Sequence, residues 1–280
     1  MRSTVRQDIR GSLPDGLGQA IRGTAEDIAT LLRGVRDTAV PVPGSEWTIG
    51  EAAAHLALAN ELMADLASGR ERPYGDGTPQ SLAAANERSL AAFGERRAEP
   101  LATMITKQAE VFLDAMATAA EGAGGTADDP APRTPLGPMD RGVLASYLLT
   151  HMLGHGYDLA RALDRPHMID RARVNLCMPF MLAVMPRVAD PAATAGLTAH
   201  YTVRLREGEA FGVSLTDGTV RVTPGPPDRS DCTILIEPTA FLLIALGRRN
   251  PWRAIAQGQI VAWGRRPWLA PRFPALFTAP

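Results

Sequence analysis

The sequence predicts a mainly α protein with an α+β tail. An antiparallel bundle of helices is expected over residues 1–190 and a smaller α+β domain over 197–280. Three observations carry this. Apolar residues recur at spacings of three, four and seven through the first two-thirds, the signature of one-sided helices. After residue 197 the pattern changes to alternation, as in half-buried strands. Between the two regimes, PRVADPAATAG at 186–196 reads as a linker. At 280 residues the chain has room for two such domains, each large enough to bury its own core.

The elements follow in order. Leu17, Ile21, Ile28, Leu31, Leu32 and Val35 form one apolar stripe and predict a helix within 16–38. VPVPGSEW breaks it, and Thr48 with Glu51 three residues on matches a capping box, so a second helix starts there and ends near Gly69. The Pro and Gly of RERPYGDGTPQ predict a loop. Helices are expected again over 79–94 and 99–121, the latter carrying Met104, Ile105, Val111, Phe112 and Met116. EGAGGTADDPAPRTPLGP at 121–138 is a long Gly/Pro-rich connection expected on the surface. Helices from Asp140 to Leu163 and from 169 to 186 complete the first part. HYTVRLREGEAFGVSLTDGTVRVTPG then alternates and contains Thr-Asp-Gly between apolar runs, a hairpin signal. CTILIEP predicts another strand, and short helices are expected around 238–246 and 251–257.

Composition excludes several function classes. The chain is 45% hydrophobic and 21% charged with a formal net charge of −1, so it carries no bulk basic excess for nucleic acid or anionic membrane. The amino terminus, MRSTVRQDIRGSLPDG, has charges throughout and no apolar core, which argues against a secretory signal. No apolar run approaches the roughly 18 residues of a membrane span. Cys177 and Cys232 stand isolated, fitting neither metal nor disulfide spacing. A cytoplasmic protein is expected, as a monomer or homodimer. No nucleophile elbow and no phosphate-binding loop is present; GAGGTADDP lacks the Lys-Ser/Thr pair.

Chemistry concentrates in the histidines. His151 and His155 stand four apart in YLLTHMLGHGYDLARAL, which places both imidazoles on one helix face. His55, mid-helix in WTIGEAAAHLALA, is the best third partner. Three neutral imidazoles around one divalent ion, with a position left open, describe a catalytic metal site. The competing reading is a pair spaced by chance and a core histidine bonded to a carbonyl. Asp158 shares the face of His151 and His155, where a carboxylate orients a ligating imidazole, contacts substrate, or pairs with Arg161. Glu51 either supports His55 or only caps its helix. His167 and His200 receive no role.

These residues also carry a resemblance. PGSEWTIGEAAAHLA, with Trp47 eight residues before His55, and HMLGHGYDLARALDRP at 151–166 resemble the two signatures of the mycothiol-dependent maleylpyruvate isomerase family, within the wider DinB-like four-helix bundles. The segment from Phe211 to Gly264 is similar to the sterol-carrier-protein-type domain commonly fused to that bundle. The family's isomerases usually hold Glu where this chain has His151, so the chain presents an all-histidine set. The resemblance implies an enzyme of actinobacterial type with a divalent metal at His55, His151 and His155, zinc first and iron or nickel as alternatives. Mycothiol would be the co-substrate, adding as a thiolate to an electrophilic small molecule, so that the reaction is an S-transfer or a cis-trans isomerisation. Asp158 would orient a ligand or meet the thiol. The His151 departure weakens any transfer of maleylpyruvate itself as substrate.

Two other functions compete. One is a small-molecule or lipid carrier with a structural metal, its ligand enclosed near Leu242, Leu243, Ile244, Ile260, Val261 and Trp263; an ordinary core accounts for the same residues. The other is a natural-product biosynthetic enzyme on the same scaffold. Arg248, Arg249, Arg253, Arg265 and Arg266 are candidates to meet an anionic substrate, or are solvated surface. The active site is expected between the bundle and the C-terminal domain.

Overall fold

The computed structural model of the chain describes residues 13–70, 72–76, 78–122 and 131–278. The readings for the amino terminus before residue 13 and for the middle of the 121–138 connection lie outside the described residues.

Four helices make the bundle: α1 (Leu17–Leu32), α2 (Ile49–Ala67), α4 (Ala98–Gly122) and α5 (Arg141–Ala162), with the short α3 (Leu82–Ala92) in the connection between α2 and α4. Thr48 and Glu51 form the capping box expected from their spacing. Its reciprocal bonds satisfy backbone donors that a helix start leaves free. Helix α1 lies against α4 and α5, and so does α2. The pairs α1/α4 and α2/α5 are antiparallel. Gly34, just past α1, donates to Glu99 at the start of α4, and Arg141 at the start of α5 reaches the Ala67 carbonyl at the end of α2. The long connection carrying α3 returns the chain to the same end, so α2 and α4 run parallel, with Gly50 against Arg96 and Asn60 against Ile105.

The described end of the 121–138 connection departs from its surface expectation. Strands β1 (Arg133–Thr134) and β2 (Gly137–Pro138) form a tight pair, with Thr134 and Leu136 buried. The Thr134 hydroxyl donates to the Gly137 carbonyl and accepts from the Leu136 N–H, which satisfies the turn's polar groups internally. Arg187 then clamps the turn by donating to the Leu136 and Pro138 carbonyls at 2.9 and 2.8 Å.

Helix α6 (Arg171–Val184) packs on α5 and faces the C-terminal part. The 186–196 segment is more ordered than a linker. It holds a 3-10 turn at Met185–Val188, with Met185 and Val188 buried, and the short α7 (Pro191–Thr194), capped by Asp190. Strands β3 (Ala199–Leu205), β4 (Ala210–Thr216), β5 (Thr219–Pro224), β6 (Cys232–Ile236) and β7 (Ile260–Trp263) form one sheet in the order β5-β4-β3-β6-β7. Only the β3/β6 pair is parallel. The β4/β5 turn holds Asp217 and Gly218 both at positive φ, 45° and 79°, as a two-residue hairpin of this twist requires. Helices α8 (Pro238–Ala245) and α9 (Pro251–Ala256) lie between β6 and β7, and α8 packs against α6. Leu242 and Leu243 are core, whereas Val261 and Trp263 face solvent. Among the described residues no helix is long and apolar enough to cross a membrane.

Candidate metal centre

Antiparallel packing of α2 on α5 brings His55 to the pair one turn apart on α5. His55 Nε2 lies 3.0 Å from His151 Nε2. One nitrogen from each of the three rings falls in a group whose members are all within 4.8 Å of one another. The ring centroids of His55–His151, His55–His155 and His151–His155 are 5.0, 4.8 and 4.6 Å apart. Two donors on one tetrahedral zinc ion at about 2.0–2.1 Å stand roughly 3.3 Å from each other, so the spacing suits a shared ion. His151 Nδ1 is buried with no hydrogen-bond partner among the described residues.

Burial is the largest influence on each imidazole and pushes all three below the ordinary value of 6.5. Mutual repulsion and the nearby Arg248 charge depress His55 and His151 further; at His155, Asp158 pulls the other way. The three rings are therefore neutral at pH 7, the form in which imidazole binds metal.

Asp158 sits with Oδ2 3.5 Å from His155 Nδ1. It does not pair with Arg161, whose guanidinium stands over the Tyr157 ring at 5.8 Å. Its partner is Arg248, just past α8, which donates from Nη2 to Oδ2 at 2.9 Å and from Nε to Oδ1 at 3.3 Å. Burial raises the Asp158 carboxyl, but the bonds from His155 and Arg248 outweigh it and hold the group below the usual carboxylate range. Glu51 is engaged in its capping box. Of the five C-terminal arginines singled out in the sequence, Arg248 alone lines the histidine cavity; Arg249 pairs with Gln257, and Arg265 and Arg266 approach Asp231. His167 and His200 lie elsewhere, His200 facing Ser214 across the sheet.

The cavity over the histidines has a volume of about 490 Å³. Trp47 lies tilted against His55 and stacked on His155, at centroid distances of 4.7 and 5.8 Å. Tyr147 meets His151 edge-on and stacks flat on Phe180 at 4.4 Å. Tyr74, Asn86, Pro135, Leu246 and Gly247 complete much of the wall. Sequence reading did not single out Tyr147, Phe180 or Pro135. The available signal was weak: Tyr147 precedes His151 by one helical turn, and Pro135 lies in a segment that reads as surface loop.

The description "Mycothiol maleylpyruvate isomerase N-terminal domain" belongs to a family model that matches residues 21–160, half of the chain. The SCP-2 sterol transfer family matches residues 183–264. Among solved structures, a mycothiol-dependent maleylpyruvate isomerase aligns at 14% identity over 89% of this chain and 93% of that one, with a TM-score of 0.44. A histidine-to-alanine variant of such an isomerase gives 13%, 89%, 93% and 0.46. An inverting sec-alkylsulfatase from Pseudomonas sp. gives 12%, 80%, 42% and 0.32. No curated protein sequence matches the chain. The chain belongs to the mycothiol maleylpyruvate isomerase family, its helical domain followed by one of the SCP-2 sterol transfer type.

Proposed function

We propose that this protein is a metal-dependent thiol enzyme in which His55, His151 and His155 hold one divalent ion, zinc by preference, and mycothiol attacks an electrophilic small molecule as its thiolate. The observation that carries the reading is the histidine triad, His55 buried and His151 and His155 half-buried, opening into a cavity of ligand size. The donor set fits such an ion: three imidazoles in the correct protonation state, from two rigid helices, with space left on the cavity side. A divalent ion held by these histidines would supply Lewis acidity that favours the thiolate at neutral pH.

The chain's own residues do the rest. Asp158 orients His155 through Nδ1, so that the ring presents Nε2 to the centre. Because Arg248 engages both oxygens of Asp158, this carboxylate acts as a fixed support and not as a mobile base. Trp47 and Tyr147 restrict water at the rings. Arg161 lines the cavity with no carboxylate partner among the described residues, and is placed to receive negative charge. In the reaction the thiol proton leaves to solvent, sulfur bonds to the electron-poor carbon, and the displaced π electrons move towards the substrate's carbonyl oxygen. Return of those electrons, uptake of a proton at the adjacent carbon and release of the adduct give transfer. Bond rotation followed by expulsion of the thiolate gives isomerisation.

Elemental analysis of wild type beside His151→Ala, then calorimetric titration of mycothiol, tests this. About one metal per chain in the wild type, lost in the variant, with thiol binding only to loaded protein, is the expected result. A wild type that cannot be loaded with zinc, iron or nickel would sink the reading.

A further inference from the structure

A second cavity, of about 450 Å³, lies between α6, α8 and the inner face of the sheet. Its walls are apolar, among them Met181, Met185, Ile234, Ile236, Phe241 and Phe273. Arg249 is the one charged residue lining it among the described residues, and Gln257 already accepts a hydrogen bond from that guanidinium. The cavity adjoins the one over the histidines. Phe180, Leu246 and Gly247 line both cavities. The wall they share thus includes two apolar side chains and a glycine, the last beside Arg248, which lines the histidine side. The two spaces differ in chemistry: one ends in imidazoles, a carboxylate and two arginines, the other in aliphatic, thioether and aromatic groups.

We propose that the electrophile handled at the histidines carries an apolar alkyl or aryl arm, which lies in this second cavity while the reactive carbon faces His55, His151 and His155. The assignment rests on the thiol-enzyme reading above and narrows its substrate class. A small dicarboxylate would leave the second cavity unused, whereas an amphipathic enone or enal matches the polar and the apolar space together. The flexible Met181 and Met185 suit an arm of variable shape.

Two measurements separate the parts of the argument. Binding of straight-chain trans-2-alkenoates, from four to ten carbons, is followed by calorimetry on metal-loaded protein. The dissociation constant is expected to fall about fourfold per added methylene, the value of burying one such group. Butenoate is expected to compete with decenoate. Ala245→Phe, which fills the cavity from α8, and Ala275→Phe, which fills it from its rim, should each flatten the chain-length dependence. Near-ultraviolet circular dichroism shows which of the two retains the native fold, and that one is read.

Turnover is followed separately with the matching 2-alkenals and mycothiol. Sulfur bonds to the β carbon, the π pair shifts to the α carbon, and that carbon takes up a proton equivalent to the one the thiol lost. No oxidant or reductant is consumed. Turnover that rises with chain length supports the proposal. Turnover with no chain-length dependence, or alkenoate binding with none, overturns it and leaves the thiol enzyme standing. Decenoate binding that butenoate does not disturb also overturns it, because the cavity is then a separate carrier site. A steep binding slope without any turnover retains the apolar subsite and removes the thiol-enzyme reading.

Discussion

His55, His151 and His155 are kept neutral by burial, and this has a cost that depends on pH. Each imidazole has a lower pKa folded than unfolded. Above the unfolded value of about 6.5, folded and unfolded chains are both neutral at these sites and the rings make no pH-dependent contribution. As pH falls below it, the unfolded chain takes up protons that the folded chain refuses, so stability declines until the folded values are reached. Each ring contributes a slope of up to about 1.4 kcal/mol per pH unit in that window. The metal-free protein should therefore lose denaturation midpoint steadily from pH 7 towards pH 5, and His55→Phe should lessen the decline. Identical midpoints at pH 7 and pH 5 for the metal-free wild type would show that the rings are not desolvated as described.

At the scale of elements, the support for the site lies in how α6 passes a proline. Pro179 lies inside α6 and cannot donate to the carbonyl one turn back. One residue on, the Phe180 N–H meets a side chain of α5. The buried Ser146 hydroxyl of α5 accepts from it at 3.1 Å and donates to the Leu176 carbonyl at 2.8 Å, standing between two groups that a regular helix would join. This fixes Phe180, which stacks on Tyr147 and walls both cavities. Ser146→Ala would leave that buried N–H and carbonyl without their bridge, at a cost of about 1–3 kcal/mol in denaturant unfolding. Loss of less than a few tenths would mean that the helix simply closes its own bond. Such features mark the boundary of what the sequence makes legible. The helix stripes, the capping box, the alternating strands and the four-residue histidine spacing are local patterns with fixed periods, and each could be read directly. Tyr147 against Phe180, Ser146 against α6, Arg187 clamping Leu136 and the choice of Arg248 among five arginines are contacts between distant segments. No period announces them. The burial of Pro135 and Leu136 was hidden for another reason: a Gly/Pro-rich stretch reads as exposed unless the side-chain bonds that satisfy its turn are known.

Across the whole molecule, one ion pair joins the two parts at the chemistry. Arg248 follows α8, Asp158 lies on α5, and the carboxylate stands between Arg248 and His155. The side chains are only 22% and 12% exposed, so solvent screens the pair little. Arg248 lowers the pKa of His155 directly, whereas Asp158 raises it. Removing Arg248 therefore changes His155 twice in the same direction: the repulsive charge goes, and Asp158 is freed to stabilise the protonated ring. In Arg248→Gln, protons should compete better for His155, and affinity for a metal at the triad should fall more steeply as pH is lowered than in the wild type. Asp158→Asn should do the reverse, with a shallower pH dependence but a less well-oriented ring. In a double-mutant cycle on unfolding, the two positions should couple by about 0.5–3 kcal/mol, the range for contacting partners. The informative comparison is zinc affinity at pH 6 and pH 8 for the four proteins of that cycle. If Arg248→Gln shifts affinity equally at both pH values, the arginine acts only as a tether between the two parts. A larger loss at pH 6 means that the C-terminal part sets the protonation of a histidine on the bundle, which explains physically why a chain of this family would keep the two together.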